Sequence, residues 1–332
     1  MFIRTCIAHT LKSNYSNFQK MSSKSAKFLP SLSRDDIKKF IESFDTVLTD
    51  CDGVLWVENN AIDGSPATIN RLAELGKKIF YVTNNSTRER QDYVEKCTKL
   101  NFPAKKEEII GTAFLVANYL RSIKFGKKVF LIGSDGFAKE LDIAGIKYIG
   151  LGPDVMPQVY TTLQSITRDI EDHLDPEVGA VLVGFDPHIS YPKLVKAASY
   201  LSDPNCMYIA TNTDERFPVS SRLVYPGTGS LVAAVTTCSG REPLVLGKPN
   251  PYVAEAIGKF HKLDPKRTLM IGDRGNSDIL LGANCGFQTL LVMTGVTSKE
   301  ELKQWEGSAD ASQRLLVPDY YLDKLGDLLH LL

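Results

Sequence analysis

The sequence predicts an α/β fold: a doubly wound, Rossmann-like parallel-sheet core carrying a large inserted α/β domain. Three observations predict it. Short apolar strands alternate with helical patterns from residue 44 onward. Four of these strands run directly into polar clusters, as strands do at the ligand crevice of a parallel sheet. About 160 residues with their own strand and helix signals separate the second cluster from the third, far too many for a loop. The expected organisation is a basic tail over 1–34, a core over 35–126 and 241–332, and an inserted domain over 127–240.

The chain has 332 residues, 43% of them apolar and 23% charged, a globular composition long enough for two domains. Lys+Arg and Asp+Glu both number 39, so charge balance offers nothing to nucleic acid or to an anionic membrane surface. No uncharged apolar run has the roughly 18–20 residues needed to cross a bilayer. The six cysteines are scattered without a CxxC pair, which argues against a disulfide framework or structural zinc and for a reducing compartment. The five histidines are equally dispersed, with no i, i+4 pair to hold a metal.

Residues 1–34 include Arg4, Lys12, Lys20, Lys24, Lys27 and Arg34, are rich in Ser, and precede the first acidic residue. That bias is similar to a mitochondrial transit peptide. A solvated, disordered tail and initiation at Met21 are the competing readings. The expected location is cytoplasmic, with mitochondrial targeting as the alternative.

The first strand is Phe44–Thr49, which ends in Asp50-Cys51-Asp52-Gly53. Ser65-Pro66 then opens a helix whose apolar stripe is Ile69, Leu72, Ala73 and Leu75 and which Gly76 closes. Lys78–Val82 is the second strand and ends in Thr83-Asn84-Asn85-Ser86. Pro243–Leu246 runs into Gly247-Lys248-Pro249, and Arg267–Ile271 into Gly272-Asp273-Arg274. In the insert, Lys128–Gly133, Ala180–Gly184 and Met207–Ala210 read as strands, with helices from about Phe137 and over Tyr191–Leu201.

One sheet edge is therefore expected to collect Asp50, Asp52, Thr83, Asn84, Asn85, Lys248, Asp273 and Asp278. Crowded carboxylates invite a divalent cation, and Mg²⁺ takes oxygen ligands together with substrate phosphate. A carboxylate can attack phosphorus and form an aspartyl-phosphate, and a second one two residues on can protonate the leaving oxygen and then activate water. Phosphoryl transfer is mostly positioning and charge stabilisation, so this set suffices. Each motif alone is a common turn or solvated loop. Four in this order, each after an apolar strand, are not explained by packing.

At these four motifs the chain resembles the haloacid-dehalogenase-type phosphatases, and more closely the branch of phosphoglycolate phosphatase, 4-nitrophenylphosphatase and pyridoxal phosphatase. The branch is carried by Asp50 through Trp56, Val183-Gly184-Phe185-Asp186, Pro226-Gly227-Thr228-Gly229-Ser230 and Gly247-Lys248-Pro249. The resemblance implies Asp50 as nucleophile and Asp52 as proton donor and base. It implies Asp50, the backbone carbonyl of Asp52, and Asp273 as Mg²⁺ ligands, supported by Asp278. It places phosphate on Thr83, Asn84, Asn85 and Lys248, and it implies a cap that covers the crevice and often mediates homodimers. The branch usually continues Leu-Asp/Glu-Thr-Asp after Gly272-Asp273-Arg274; here Gly275-Asn276-Ser277-Asp278 replaces an acid by neutral Asn276.

The specificity loop resembles Asn212–Pro218, where pyridoxal phosphatases carry His at the position of Phe217. Phe217 cannot donate that hydrogen bond, so the sequence ranks small phosphomonoesters first, with 2-phosphoglycolate ahead of pyridoxal 5′-phosphate and glycerol 3-phosphate. Arg216 is a candidate for a substrate carboxylate. His188 is read as a turn or cap-core residue. Cys51, between the two acids, is either a small buried neighbour or an oxidisable thiol. A nucleotide-binding transferase is disfavoured, because neither GxxxxGK[ST] nor GxGxxG at a strand–helix turn is present. A non-catalytic interaction protein is disfavoured by the retention of Asp50 and Asp52.

Overall fold

The computed structural model describes residues 24–154, 170–171, 173–217 and 222–332. Its strands are β1 (Lys27–Phe28), β2 (Thr46–Thr49), β3 (Trp56–Val57), β4 (Asn60–Ala61), β5 (Lys78–Thr83), β6 (Ile109–Gly111) and β7 (Lys128–Ile132). They continue as β8 (Tyr148–Ile149), β9 (Val178–Val183), β10 (Met207–Ala210), β11 (Leu244–Val245), β12 (Thr268–Gly272), β13 (Gln288–Val292) and β14 (Tyr320–Leu322).

The first sheet is parallel throughout, in the order β1-β14-β13-β12-β2-β5-β6. All four residues of β2 are buried, because the sheet is covered on both faces. Alternation along the strands divides them between two apolar clusters. Leu48, Phe80, Val82 and Met270 face one side, while Val47, Ile79, Tyr81, Leu269 and Ile271 face the other. Strands β2, β5 and β12 are neighbours in register, with Thr46 opposite both Lys78 and Thr268. Their carboxyl ends therefore emerge side by side.

The second sheet, also parallel, runs β11-β10-β9-β7-β8. One face packs on helices Tyr191–Leu201 and Thr228–Ser239, through Ala197, Leu201, Leu231, Val232 and Val235. The other face packs on helix Asp135–Ala144, and that apolar cluster continues into the first sheet through helix Thr112–Ser122. The insert is thus seated on the core rather than tethered to it. Two further contacts seat it. Glu140 is buried and accepts from the Arg90 backbone amide at 2.9 Å and from Nε at 3.1 Å. Gly136 lies so close to the Thr87–Arg88 backbone that a Cβ would stand 2.4 Å from the Thr87 carbonyl oxygen.

Two expectations are corrected. Pro243–Leu246 was read as a core strand, but β11 pairs with β10 in the second sheet, so the chain leaves the insert only at Leu246-Gly247. The segment read as a tail over 1–34 is structured from residue 24: β1 pairs with β14, Leu29 is fully buried, and the Ser33 hydroxyl caps helix Arg34–Glu42 by accepting from the Asp36 amide. The targeting and tail readings otherwise fall on residues outside those described. No helix among the described residues is long and apolar enough to cross a membrane.

Replacing Glu140 by Ala would leave the Arg90 guanidinium without its partner at the seam between the sheets. Arg90 keeps some solvent access, so the expected loss is about 1–3 kcal/mol, read as a lower urea midpoint; a midpoint equal to wild type would show that this ion pair does not hold the insert.

Candidate active site

The carboxyl ends of β2, β5 and β12, with the turn after β11, deliver their side chains into a single cavity of about 340 Å³. Its core-side lining includes Asp50, Asp52, Thr83, Asn84, Asn85, Lys96, Lys248, Asp273 and Arg274. The insert contributes Phe185, Asn212, Asp214, Arg216, Phe217 and Thr228.

Asp50 follows β2 and is held by its amide, which donates to the Ile271 carbonyl at 2.8 Å. Lys248 reaches the same place from the other side of the crevice. Its ammonium is 3% exposed and lies 2.6 Å from Asp50 Oδ1, 2.8 Å from Asp278 Oδ1 and 3.1 Å from the Val82 carbonyl. Burial alone would pull the Lys248 pKa down; Asp278 and Asp50 outweigh it, and the group is held cationic well above its ordinary value.

Asn84 sets the position of that lysine. Its Oδ1 accepts from the Lys248 amide at 2.9 Å and its Nδ2 donates to the Lys248 carbonyl at 3.1 Å. Nδ2 also reaches Asp214 Oδ1 in the insert at 3.3 Å, so the residue joins three chain segments. The Asn85 side chain is differently used. It closes an Asx turn by accepting from the Thr87 amide and hydroxyl, while the Asn85 amide donates to Thr83 Oγ1 at 3.1 Å.

Asp50, Asp273 and Asp278 form a cluster in which one oxygen from each lies within 4.8 Å of the others. Asp273 Oδ2 accepts from the Val296 amide at 2.7 Å. Gly295 makes this approach feasible, since a Cβ there would stand 1.8 Å from Oδ2. Asp278 Oδ2 accepts from the amides of Asp273 and Arg274, inside the irregular turn Gly275–Ile279. Burial raises the Asp273 pKa well above the carboxylate range, reinforced by Asp50 and Asp278. Burial also raises Asp278, against the opposing pull of Lys248. Three buried carboxylates facing one lysine suit a hard divalent cation, for which all available donors are oxygen. Asp50 and Asp273 are the residues placed to hold it, because Asp278 is engaged by Lys248 and two amides. Asn276, where the motif loses an acid, is exposed and is not among the residues that line the cavity.

The Asp52 carboxylate is outside that cluster. Its Oδ1 accepts from Trp56 Nε1 at 2.9 Å and lies 3.9 Å from Lys96 Nζ. Cys51 is buried between the acids, and burial first, then Asp50, pushes its thiol well above the ordinary value. Burial also limits the access of an oxidant, which favours the reading of Cys51 as a small buried neighbour over the sensor reading. Phe217 packs edge-on against Phe185 with centroids 4.9 Å apart and forms an apolar wall of the cavity. The His188 amide closes a turn onto Asp186 Oδ1 at 2.7 Å, and the residue does not line the cavity.

Sequence reasoning did not find Lys96 or the roles of Trp56, Asp214 and Arg274. Arg274 crosses from core to insert, with Nη1 3.3 Å from Glu215 Oε2 and 3.9 Å from Asp214 Oδ1. Trp56 and Arg274 lie inside the first and fourth motifs, which are a signal for them; Lys96 sits in helix Arg90–Lys99 with no motif around it.

The fold and the site define a hydrolase with an acidic, lysine-anchored crevice at the carboxyl edge of a parallel sheet. Residues 47–147 match the family described as haloacid dehalogenase-like hydrolase, and residues 245–328 a second description of the same type, HAD-hydrolase-like. A glycerol-3-phosphate phosphatase of Gallus gallus is 42% identical over 301 residues, covering 90% of this chain and 95% of that protein. A chronophin of Bos taurus is 40% identical over 289 residues, covering 85% of this chain and 91% of that one. Among solved structures, a p-nitrophenyl phosphatase from Archaeoglobus fulgidus superposes with a TM-score of 0.71 at 29% identity, over 87% of this chain and all of the other. The chain belongs to the haloacid dehalogenase-like hydrolase family. Within it, the chain is a phosphoric monoester hydrolase.

In the cation-free protein the raised pKa values of Asp273 and Asp278 give a pH signature. Their contribution to stability is fully present below the unfolded value of about 4 and is lost as pH rises through the folded values. A bound divalent cation relieves that loss and competes with protons at lower pH. The gain in Tm on adding a divalent cation is therefore expected to be larger at pH 7.5 than at pH 5.0, by differential scanning fluorimetry; a gain independent of pH would contradict the cluster as the binding site.

Proposed function

We propose that the protein is a Mg²⁺-dependent phosphomonoesterase that works through an aspartyl-phosphate on Asp50, with glycerol 3-phosphate as the first candidate substrate. The observation that carries the mechanism is the Asp50 carboxylate, fixed by its own amide and by Lys248, at the floor of a cavity that also holds Asp52 and Asp273.

An Asp50 oxygen donates its electron pair to phosphorus while the bond to the leaving oxygen breaks. The leaving oxygen takes a proton from Asp52, giving the alcohol. Asp52, now a carboxylate, takes a proton from water as that water attacks the phosphorus of phospho-Asp50. The Asp50–phosphorus bond breaks, orthophosphate departs, and Asp50 is again a carboxylate with Asp52 protonated. Lys248 offsets the charge that would otherwise repel the phosphoryl group from Asp50. Mg²⁺ bound at Asp50 and Asp273, with the Asp52 carbonyl as the further expected ligand, would neutralise the phosphoryl oxygens. The insert roofs part of the cavity and limits the access of bulk water to the reacting groups.

Substrate choice rests on the relatives and on the roof. The glycerol-3-phosphate phosphatases of Gallus gallus and Homo sapiens are 42% and 38% identical over 90% of this chain. They move glycerol 3-phosphate ahead of the 2-phosphoglycolate that the sequence ranked first. A cavity of about 340 Å³ has room for each of the three esters and does not rank them. Phosphoglycolate is the second reading, favoured by the guanidinium groups of Arg88 and Arg216 in the cavity lining, which match a carboxylate. Phe217, apolar where a hydrogen bond to a pyridine ring would be needed, places pyridoxal 5′-phosphate third.

Asp50→Asn is expected to lower kcat for p-nitrophenyl phosphate by about 10⁴-fold or more in a protein that still unfolds cooperatively, with a Tm shifted by the loss of the buried pair with Lys248; turnover near wild type would exclude Asp50 as nucleophile. Chelation with EDTA should abolish activity and Mg²⁺ should restore it, with Ca²⁺ a poor substitute because it prefers more ligands at longer distances. On comparing kcat/KM for the three natural esters, glycerol 3-phosphate should lead; a lead for phosphoglycolate would transfer the assignment to the Arg88 and Arg216 reading.

A further inference from the structure

Helix Arg90–Lys99 starts with a capping box between Glu89 and Asp92 and buries Tyr93 and Cys97 against the core. Lys96 lies on the flank of that face. Its ammonium is 3.9 Å from Asp52 Oδ1 and 4.4 Å from the centroid of the Trp56 ring, and its side chain is 13% exposed. A lysine stem over an indole is ordinary packing. Two features set this one apart: Lys96 lines the active cavity, and the ring beneath it belongs to the residue that donates to the same Asp52 oxygen at 2.9 Å. Trp56 is itself fully buried, and its ring also stacks edge-on with Phe102 at 5.7 Å, so the indole is a fixed platform.

Both contacts converge on Oδ1, and Oδ2 meets no competing donor among the described residues. A carboxylic acid that must hand over a proton needs one oxygen held as acceptor and the other free to carry hydrogen.

We propose that Lys96, together with Trp56, is a positioning device for Asp52 that holds Oδ1 and so presents Oδ2, with its proton, to the leaving oxygen of an alkyl phosphate. The inference rests on the reading of Asp52 as proton donor and deepens it. During transfer the Asp50 oxygen bonds to phosphorus, the phosphorus–oxygen bond to the leaving group breaks, and the proton on Oδ2 moves to that oxygen. The carboxylate left behind sits beside the Lys96 ammonium, where its new charge is compensated. Substrates split accordingly. An alkoxide cannot leave without that proton; a nitrophenolate can.

The test compares kcat/KM, which reports the steps up to formation of phospho-Asp50, for glycerol 3-phosphate, n-propyl phosphate and p-nitrophenyl phosphate. Propyl phosphate has no leaving-group hydroxyl for an ammonium to bind, so it separates positioning from direct substrate recognition. Lys96→Met should lower kcat/KM for both alkyl esters by about tenfold to a hundredfold, less than the roughly 10²–10⁴-fold that loss of the acid itself would cost, and for p-nitrophenyl phosphate by less than about threefold. Lys96→Arg, which keeps the charge and the stacking, should restore most of the alkyl activity. Equal losses on all three substrates, or none, would overturn the proposal. Asp52→Asn is the control for the reading beneath it. If that variant shows the alkyl-selective loss and Lys96→Met does not, only the role of Lys96 fails; if Asp52→Asn shows no selectivity, the assignment of Asp52 fails first.

Discussion

The ammonium of Lys248 is the interaction on which the rest of the molecule depends. Three carboxylates from two strand ends stand around it or beside it, and nearly all are withdrawn from water. Burying such groups without compensation costs several kcal/mol per charge. Lys248 compensates two of them directly, and the turn that carries it is clamped by Asn84 from the end of β5. The amides of Asp273, Arg274 and Val296 hold the remaining oxygens. What the protein leaves unbalanced is close to the charge of one small divalent cation. Burial first, and for Asp273 the neighbouring carboxylates, raises Asp273 and Asp278, and that buried crowding makes the crevice receptive to a cation and to the phosphoryl group it would accompany.

Much of this was legible in the chain. Apolar strands ending abruptly in acid, amide and lysine are difficult to explain by packing, and β2, β5 and β12 end where the reading put them. The third motif misled in one respect. Leu244–Val245 is a two-residue strand, and an apolar pair says nothing about which sheet accepts its hydrogen bonds; the insert's β10 does. The result is that Lys248 enters the site from the insert side, on the turn that returns the chain to the core. Residues 24–34 were set aside because their composition is basic and Ser-rich. Their contribution is one buried Leu29, a short edge strand and a Ser33 cap, none of which leaves a periodic pattern. Lys96 was invisible for a different reason: its significance lies in a Trp forty residues earlier, and no spacing rule joins them.

The seam between the two sheets explains how a roofed cavity stays assembled. The shared apolar cluster, the Arg90–Glu140 pair and the close approach of Gly136 fix the insert on one side of the crevice. Arg274 and Asn84 reach Asp214 and Glu215 across it. Phe185 and Phe217 form a ring pair that shapes the roof, and Asn212, Arg216 and Thr228 line it with polar groups. The carboxylates of the site belong to the core, where Lys248 pairs with Asp50 and Asp278 and backbone amides hold Asp273 and Asp278, so the core side of the cavity can stay constant while the roof changes what is admitted.

The central claim is that one side-chain oxygen, on Asp50, becomes bonded to phosphorus during turnover. Its most direct test is to quench Asp52→Asn, in which loss of the base should slow hydrolysis of the intermediate, during reaction with p-nitrophenyl phosphate. Borohydride reduction followed by peptide mass spectrometry then locates the acyl-phosphate. Homoserine at position 50 is the result predicted; homoserine at position 273 or 278, or an unreduced chain under conditions of continuing turnover, would contradict it.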